Sequence, residues 1–174
     1  AASPEEADVI LLNTCSVRQK PEDKVFSRLG ELAELKRQRP DLVIGVTGCM
    51  AQRAGAEIAR RAPHIDLIAG TAQLETIPEL VRTRRSRLDS GEAAPNRAGD
   101  VLIQLQLPRK KEESQLFLPA RKRVTTGKLK SFVSIMYGCD KFCAFCIVPH
   151  TRGKERSRPA ADIVAEVEHL AAHG

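Results

Sequence analysis

Val9-Ile10-Leu11-Leu12-Asn13 is the stretch that decides the predicted fold of the first part of the chain. It is a short continuous apolar run that ends in polar residues, which is typical of a strand buried on both faces of a parallel sheet. The runs from Leu42 to Thr47 and from Ile65 to Ala69 repeat the pattern. Three buried parallel strands are therefore expected.

Segments with helical periodicity separate these runs. From about residue 21 to residue 39, apolar residues recur at helical spacing among charged ones. A second helix is predicted at about residues 55–62 and a third at about residues 75–84. Strands that alternate with helices over short connections predict an α/β domain with a doubly wound parallel sheet over residues 1–84.

Two cysteines follow the ends of the first two predicted strands. Cys15 comes shortly after Asn13, and Cys49 directly follows Gly48. Ligands of such sheets bind beyond the carboxyl ends of the strands, and neighbouring strands lie about 4.8 Å apart, so two thiolates could bind one cluster there. Two unrelated reduced cysteines, one of them buried as a small hydrophobic residue, fit the same spacing.

A second cysteine-bearing segment, Gly138-Cys139-Asp140-Lys141-Phe142-Cys143-Ala144-Phe145-Cys146, directly follows the apolar run Phe132 to Tyr137. Its C-x3-C-x2-C spacing puts three thiols on one tight loop. Three thiolates can hold three irons of a [4Fe-4S] cluster and leave the fourth iron open to a chelating cosubstrate. Zinc is the alternative, since His150 would complete a Cys3His set, although zinc modules mostly draw their ligands from two separated knuckles.

The composition bounds the class of protein. The chain has 174 residues, of which 42% are hydrophobic and 29% charged, enough for one full core. No apolar run reaches the roughly 18 residues of a membrane span, and no signal pattern opens the chain, so no membrane partner is expected. Five cysteines, an odd number, favour reduced thiols and a cytoplasmic location. The absence of an initiating Met suggests a piece of a longer protein.

The positive charge of the chain is concentrated in its middle. Lys and Arg outnumber Asp and Glu strongly between Arg82 and Lys130, and the whole chain carries a net charge of +6. Residues 85–130 are predicted to be a basic linker, in which residues 101–107 could add a strand. A basic segment beside a reactive site favours a polyanionic partner such as nucleic acid, whereas a solvated linker is the alternative.

Several motifs, in this order, resemble the radical-SAM methylthiotransferases. They are Asn13-Thr14-Cys15-Ser16-Val17-Arg18, Gly48-Cys49-Met50-Ala51, Ser134-Ile135-Met136-Tyr137-Gly138-Cys139, Thr151-Arg152-Gly153-Lys154-Glu155 and Ser157-Arg158-Pro159. The aromatic Phe145 directly before Cys146 also fits the radical-SAM signature. The later motifs are most similar to the MiaB-type branch, which modifies tRNA. The first auxiliary cysteine of the family, on a strand before Val9, is absent here.

The resemblance implies two [4Fe-4S] clusters and S-adenosylmethionine (SAM) as cofactors. Cys139, Cys143 and Cys146 would hold the SAM-binding cluster, and Cys15 and Cys49 would hold part of an auxiliary cluster. Phe145 and Arg152 are the candidate SAM-binding residues, and Arg152 lies on a basic strip with Lys154, Arg156 and Arg158. In the family, the first domain is the amino-terminal α/β domain, and residues 131–174 would be the opening βα unit of a radical-SAM (β/α) barrel.

The implied activity is the addition of a methylthio group to C2 of an isopentenylated adenosine next to the tRNA anticodon. The reduced SAM-binding cluster would cleave SAM to a radical that abstracts hydrogen, and the auxiliary cluster would supply the sulfur. The implied partners are tRNA and a flavodoxin-like or ferredoxin-like electron donor. Alternatives are a methylthiotransferase for a ribosomal-protein side chain or another adenosine, an Fe-S electron carrier, and a zinc-dependent nucleic-acid-binding module.

Overall fold

The structure is a computed structural model that describes residues 1–16, 19–92, 100–107, 131–141 and 143–173. The chain divides into two units, Ala1–Leu107 and Pro108–Gly174, here called unit 1 and unit 2. Val17 and Arg18 of the first motif lie outside the described residues, as does most of the predicted basic linker.

Unit 1 alternates strands and helices. Its elements are β1 (Val9–Thr14), α1 (Gln19–Gln38), β2 (Val43–Gly48), α2 (Cys49–Arg61), β3 (Leu67–Ala69), α3 (Ile77–Asp89) and β4 (Leu102–Gln104). Single 3₁₀ turns precede β1 and α3. The four strands are all parallel and follow the order β1-β2-β3-β4 in the sheet. The predicted parallel α/β fold is confirmed.

Helices cover both faces of this sheet. On one face, α1 and α2 pack against the sheet, where Leu29 and Met50 share a core with Ile44. On the other face, Leu80 of α3 packs with Val43 and other strand residues. Every residue of β2 is buried, which is why its sequence is a continuous apolar run. Each large apolar side chain buried in this way contributes about 1.5–3 kcal/mol.

A buried ion network joins α1 and α3 to the amino ends of β2 and β3. The Asp66 carboxylate accepts hydrogen bonds from Lys36 Nζ at 2.9 Å, from Arg84 Nε at 2.7 Å and from the Ile44 backbone N–H at 2.8 Å. Lys36 also donates to the Leu42 carbonyl. Burial lowers the pKa of Lys36, and the attraction of Asp66 opposes that shift. This network lies at the amino ends of the strands, whereas Cys15 and Cys49 follow the carboxyl ends of β1 and β2.

Several elements of unit 1 differ from the prediction, and β3 begins at Leu67 rather than at Ile65. Helix α2 begins at Cys49 rather than near residue 55, and Ala54 interrupts it with φ −121° and ψ 24°. The predicted helix corresponds to the half that follows this interruption. Helix α3 continues past Arg84 to Asp89, and β4 pairs in parallel with β3. Unit 1 therefore includes residues up to Leu107, because the strand predicted within the linker joins the sheet.

Unit 2 consists of short elements and one longer helix. These are β5 (Met136–Tyr137), α4 (Val148–Arg152), β6 (Arg156–Ser157) and α5 (Ala160–His173), and β5 pairs with β6 in antiparallel fashion. Helix α5 agrees with a helix in the βα unit predicted for residues 131–174, whereas the apolar run from Phe132 to Tyr137 is paired as a strand only at its last two residues. The described part of unit 2 does not contain a barrel, so the barrel stays a prediction. Among the described helices of the chain, none is long and apolar enough to span a membrane.

Candidate metal centres

The first candidate centre consists of Cys15 and Cys49. In the parallel pairing of β1 with β2, Thr14 lies opposite Gly48. Cys15 directly follows Thr14, and Cys49 directly follows Gly48. Cys15 is exposed and Cys49 is partly buried. The sheet therefore places the two cysteines on neighbouring strand ends at one edge, while their role as ligands stays a prediction.

Close contact between the two strand ends sets the position of the first centre. The hydroxyl of Thr14 donates to the Thr47 carbonyl at 2.6 Å in a buried hydrogen bond. Gly48 has φ +96°, and a Cβ at this position would lie 2.2 Å from the Thr14 carbonyl oxygen. Only glycine fits such a backbone and such a contact. Cys49 is then the first residue of α2, where the helix dipole favours negative charge.

The second candidate centre is the segment that carries Cys139, Cys143 and Cys146. Gly138, at its start, has φ +73°, and a Cβ there would lie 2.1 Å from the Lys154 carbonyl oxygen. The backbone N–H of Cys139 donates to the Gly153 carbonyl at 3.2 Å. The start of the segment is thus held against the chain that leads into β6.

Backbone hydrogen bonds also shape the rest of the second centre. The N–H of Lys141 donates to Cys139 Sγ at 3.4 Å, and the N–H of Cys146 donates to the Cys143 carbonyl at 3.0 Å. Cys143 is exposed, whereas Cys139 and Cys146 are partly buried. Hydrogen bonds to ligand sulfur are one of the means by which proteins tune iron–sulfur clusters.

The cysteines of the second centre fit an iron–sulfur cluster by the chemistry of their donor atoms. All five cysteines of the chain are free, and thiolate is the donor that such clusters require. No group of three or more His, Cys, Asp and Glu side chains is gathered as a metal-binding set within the residues that the structure describes. His150, the fourth ligand of the zinc alternative, is exposed on α4.

The predicted SAM-binding residues lie near the second centre in sequence and are accessible. Phe145 is 96% exposed. Arg152 is exposed at the end of α4, and its carbonyl accepts a hydrogen bond from Arg156.

Arg158 differs from the rest of the predicted basic strip because it is buried. Its guanidinium donates to Glu166 at 2.5 Å and to the Ser134 carbonyl at 2.7 Å. Arg158 therefore joins the chain before β5 to helix α5, a role that the sequence pattern did not indicate. The exposed positive charge of the strip lies on Arg152 and Lys154.

Comparisons with known proteins match sequence ranges that include both candidate centres. The profile described as "Uncharacterized protein family UPF0004" matches residues 1–70, which include Cys15 and Cys49. A protein from Cellvibrio japonicus named tRNA-2-methylthio-N(6)-dimethylallyladenosine synthase is 46% identical over 172 residues, which are 99% of this chain. Proteins of the same name from Bacillus mycoides and Nitrosomonas eutropha are 44% and 47% identical over 99% and 98% of the chain.

These relatives are much longer than the chain. The matched region is 34%, 31% and 35% of the three relatives, so the chain spans about a third of their length. The alignments extend over nearly the whole chain and therefore include the segments of both centres. Over nearly its whole length, the chain is therefore similar to proteins named tRNA-2-methylthio-N(6)-dimethylallyladenosine synthase, in agreement with the resemblance of its motifs to the radical-SAM methylthiotransferases.

Proposed function

We propose that the protein containing this chain is a tRNA methylthiotransferase. Its substrate would be an adenosine that carries an isopentenyl (dimethylallyl) group next to the anticodon, and its product would carry a methylthio group at C2. The names of relatives that are 44–47% identical support the substrate and the reaction. The five free cysteines and the basic composition agree with an enzyme that acts on RNA in the cytoplasm.

Each centre would hold one [4Fe-4S] cluster. Cys139, Cys143 and Cys146 would bind the cluster that takes SAM, and Cys15 and Cys49 would bind the auxiliary cluster with a further ligand from outside this chain. When bound, the clusters supply one-electron reduction of SAM and a sulfur atom for transfer. A flavodoxin-like or ferredoxin-like protein would donate the electron.

The side chains of this chain would bind and orient rather than react. The exposed guanidinium of Arg152 would be available to bind the SAM carboxylate. The exposed ring of Phe145 offers an apolar surface beside Cys146. The close approach of Gly138 to residues 153–154 and the hydrogen bond from Cys139 to Gly153 would hold the start of the second centre in place.

The observation that carries the proposal is the pairing of Thr14 with Gly48. These residues are 34 positions apart in sequence, yet the sheet makes Cys15 and Cys49 neighbours at an accessible edge. Two thiols on neighbouring strand ends can supply two of the ligands of one iron–sulfur cluster.

Cysteine variants of the intact protein test the division of labour between the centres. The Cys15→Ala, Cys49→Ala double variant should lose about half of its iron, still cleave SAM reductively, and form no methylthio product. Cys143→Ala should lose SAM cleavage instead. Iron analysis, SAM cleavage and mass spectrometry of tRNA nucleosides measure these effects. Methylthiolated tRNA made by the double variant would exclude the proposed role of Cys15 and Cys49.

A further inference from the structure

Three side chains next to the first centre form a closed hydrogen-bond network of Ser16, Glu22 and Arg53. The Ser16 hydroxyl donates to Glu22 Oε1 at 2.5 Å and accepts from Arg53 Nε at 2.9 Å. Arg53 Nη2 donates to Glu22 Oε1 and Oε2 at 2.7 and 2.6 Å. Each member thus contacts both others.

The network begins where the pairing of the two strands ends. The ladder between β1 and β2 stops at Thr14 and Gly48, and Ser16 directly follows Cys15. Arg53 lies four residues after Cys49 on α2, at the spacing that puts two residues on one face of a helix. Glu22 is in the first turn of α1. The network therefore ties the chain that leaves Cys15 to the helix that carries Cys49.

The network is partly shielded from water and formed at neutral pH. The Glu22 side chain is 18% exposed and the Arg53 side chain 39% exposed. Burial acts to raise the pKa of Glu22, but the hydrogen bonds from Ser16 and Arg53 and the guanidinium charge outweigh it, so the pKa lies below its ordinary value. Bonds of this charge-assisted kind hold geometry better than single neutral ones.

We infer that the Ser16, Glu22 and Arg53 network is a positioning device that sets the separation of the Cys15 and Cys49 thiols. By holding that separation, it governs how firmly the pair retains an iron–sulfur cluster. The effect on cluster retention rests on the proposed function, whereas the effect on the separation of the thiols does not require a metal. Ser16, Glu22 and Arg53 are positioning residues, since they act through the two cysteines.

The first test measures the separation of the thiols without metal. In the intact, reduced, metal-free protein, a short bifunctional thiol reagent such as dibromobimane joins Cys15 to Cys49, and peptide mapping gives the rate. Arg53→Gln and Glu22→Gln should each slow this cross-linking about threefold to tenfold. Glu57→Gln and Arg82→Gln, which break exposed ion pairs elsewhere, should leave the rate unchanged. An unchanged or faster rate in both network variants would overturn the inference.

Two further variants cover the case in which those substitutions disturb folding. Ser16→Ala removes one member and keeps the ion pair, so it should slow cross-linking by a smaller factor. The combination Glu22→Arg with Arg53→Glu restores opposite charges and should recover part of the rate. A Ser16→Ala variant with the melting curve and the cross-linking rate of the wild type would count against the inference. So would a combined variant that recovers none of the cross-linking rate.

The second test measures retention of the cluster. In a Cys143→Ala background the remaining iron is that of the first centre, and Arg53→Gln should speed its loss to a chelator about threefold to tenfold. If the Cys143→Ala background itself holds no iron, the proposed function fails at this centre, and the cross-linking result still decides the positioning role. If the Cys143→Ala protein holds iron and loses it at the same rate with and without Arg53→Gln, the network does not govern retention of the cluster.

Discussion

The two candidate centres are held in place by different parts of the folded chain. Cys15 and Cys49 follow strands of a sheet in which every residue of β2 is buried. Cys139, Cys143 and Cys146 lie outside helices and strands in the described part of their segment, where Cys143 and Phe145 are exposed. The first centre is set by pairing between residues 34 positions apart, and the second by contacts between residues at most 16 positions apart in sequence.

This difference indicates where each centre is vulnerable. Anything that disturbs the packing of the sheet should move the thiols of the first centre, because their positions depend on β1 and β2. The second centre depends on a few contacts of Gly138, Cys139 and Asp140, whose carboxylate accepts from the Glu155 N–H at 2.9 Å. Its geometry should respond to changes in those contacts.

The largest effect is expected from Asp66→Ala. The change leaves Lys36 and Arg84 as buried charges without their carboxylate, which should cost about 3–5 kcal/mol of the free energy of unfolding. Urea unfolding measures the loss, and hydrogen exchange in β2 and β3 locates it. Asp41→Ala is the control, since that carboxylate is 73% exposed and should change stability by less than about 0.5 kcal/mol. A loss below about 1 kcal/mol for Asp66→Ala would show that the network does not support the sheet.

Gly48→Ala tests the contact between the strand ends directly. A methyl group 2.2 Å from the Thr14 carbonyl, on a backbone with φ +96°, should cost about 2–3 kcal/mol and slow the cross-linking of Cys15 to Cys49. Gly30→Ala in α1 is the matched control, because nothing lies within 4 Å of its Cβ. That control should stabilise the helix by up to about 1 kcal/mol. Equal stability of the two variants would contradict the role given to Gly48.

Gly138→Ala makes the corresponding test at the second centre. A Cβ 2.1 Å from the Lys154 carbonyl should push the start of the segment away from residues 153–154, at a cost of about 1–3 kcal/mol. Iron bound after anaerobic reconstitution and SAM cleavage should both fall. Gly91→Ala has a similar φ of +72° with open space around the Cβ, so it separates backbone strain from crowding. Iron loss of equal size in both variants would exclude crowding as the cause.

The smallest effect concerns the pH dependence contributed by Glu22. Its pKa in the folded protein is below the ordinary value, so its contribution to stability is fully present above that value and is lost as the pH falls through the folded pKa. The difference in stability between wild type and Glu22→Gln should therefore be constant near neutral pH and shrink below about pH 4. Thermal unfolding at a series of pH values measures it. A difference that is the same at pH 3 and pH 7 would contradict the assignment.

Local sequence patterns predicted which helices and strands are present better than they predicted where these elements begin and end. The apolar runs located β1 and β2 to within a residue, because buried parallel strands have no polar face. Helix α2 was predicted to begin six residues late, since Ala54 breaks the helical backbone and the first half, residues 49–53, follows the strand without a loop. For that reason Cys49 lies on a helix rather than in a connection.

The amino-acid sequence by itself determined the parallel α/β character of unit 1, the position of both cysteine-bearing regions after apolar runs, and a helix in unit 2. These features depend on hydrophobic periodicity and spacing, which are local. Only the tertiary structure decided that Gly48 meets Thr14, that Asp66 joins Lys36 to Arg84, and that Ser16 meets Glu22 and Arg53. Residues up to 37 positions apart make these contacts, and packing rather than any local pattern determines which distant polar groups become partners.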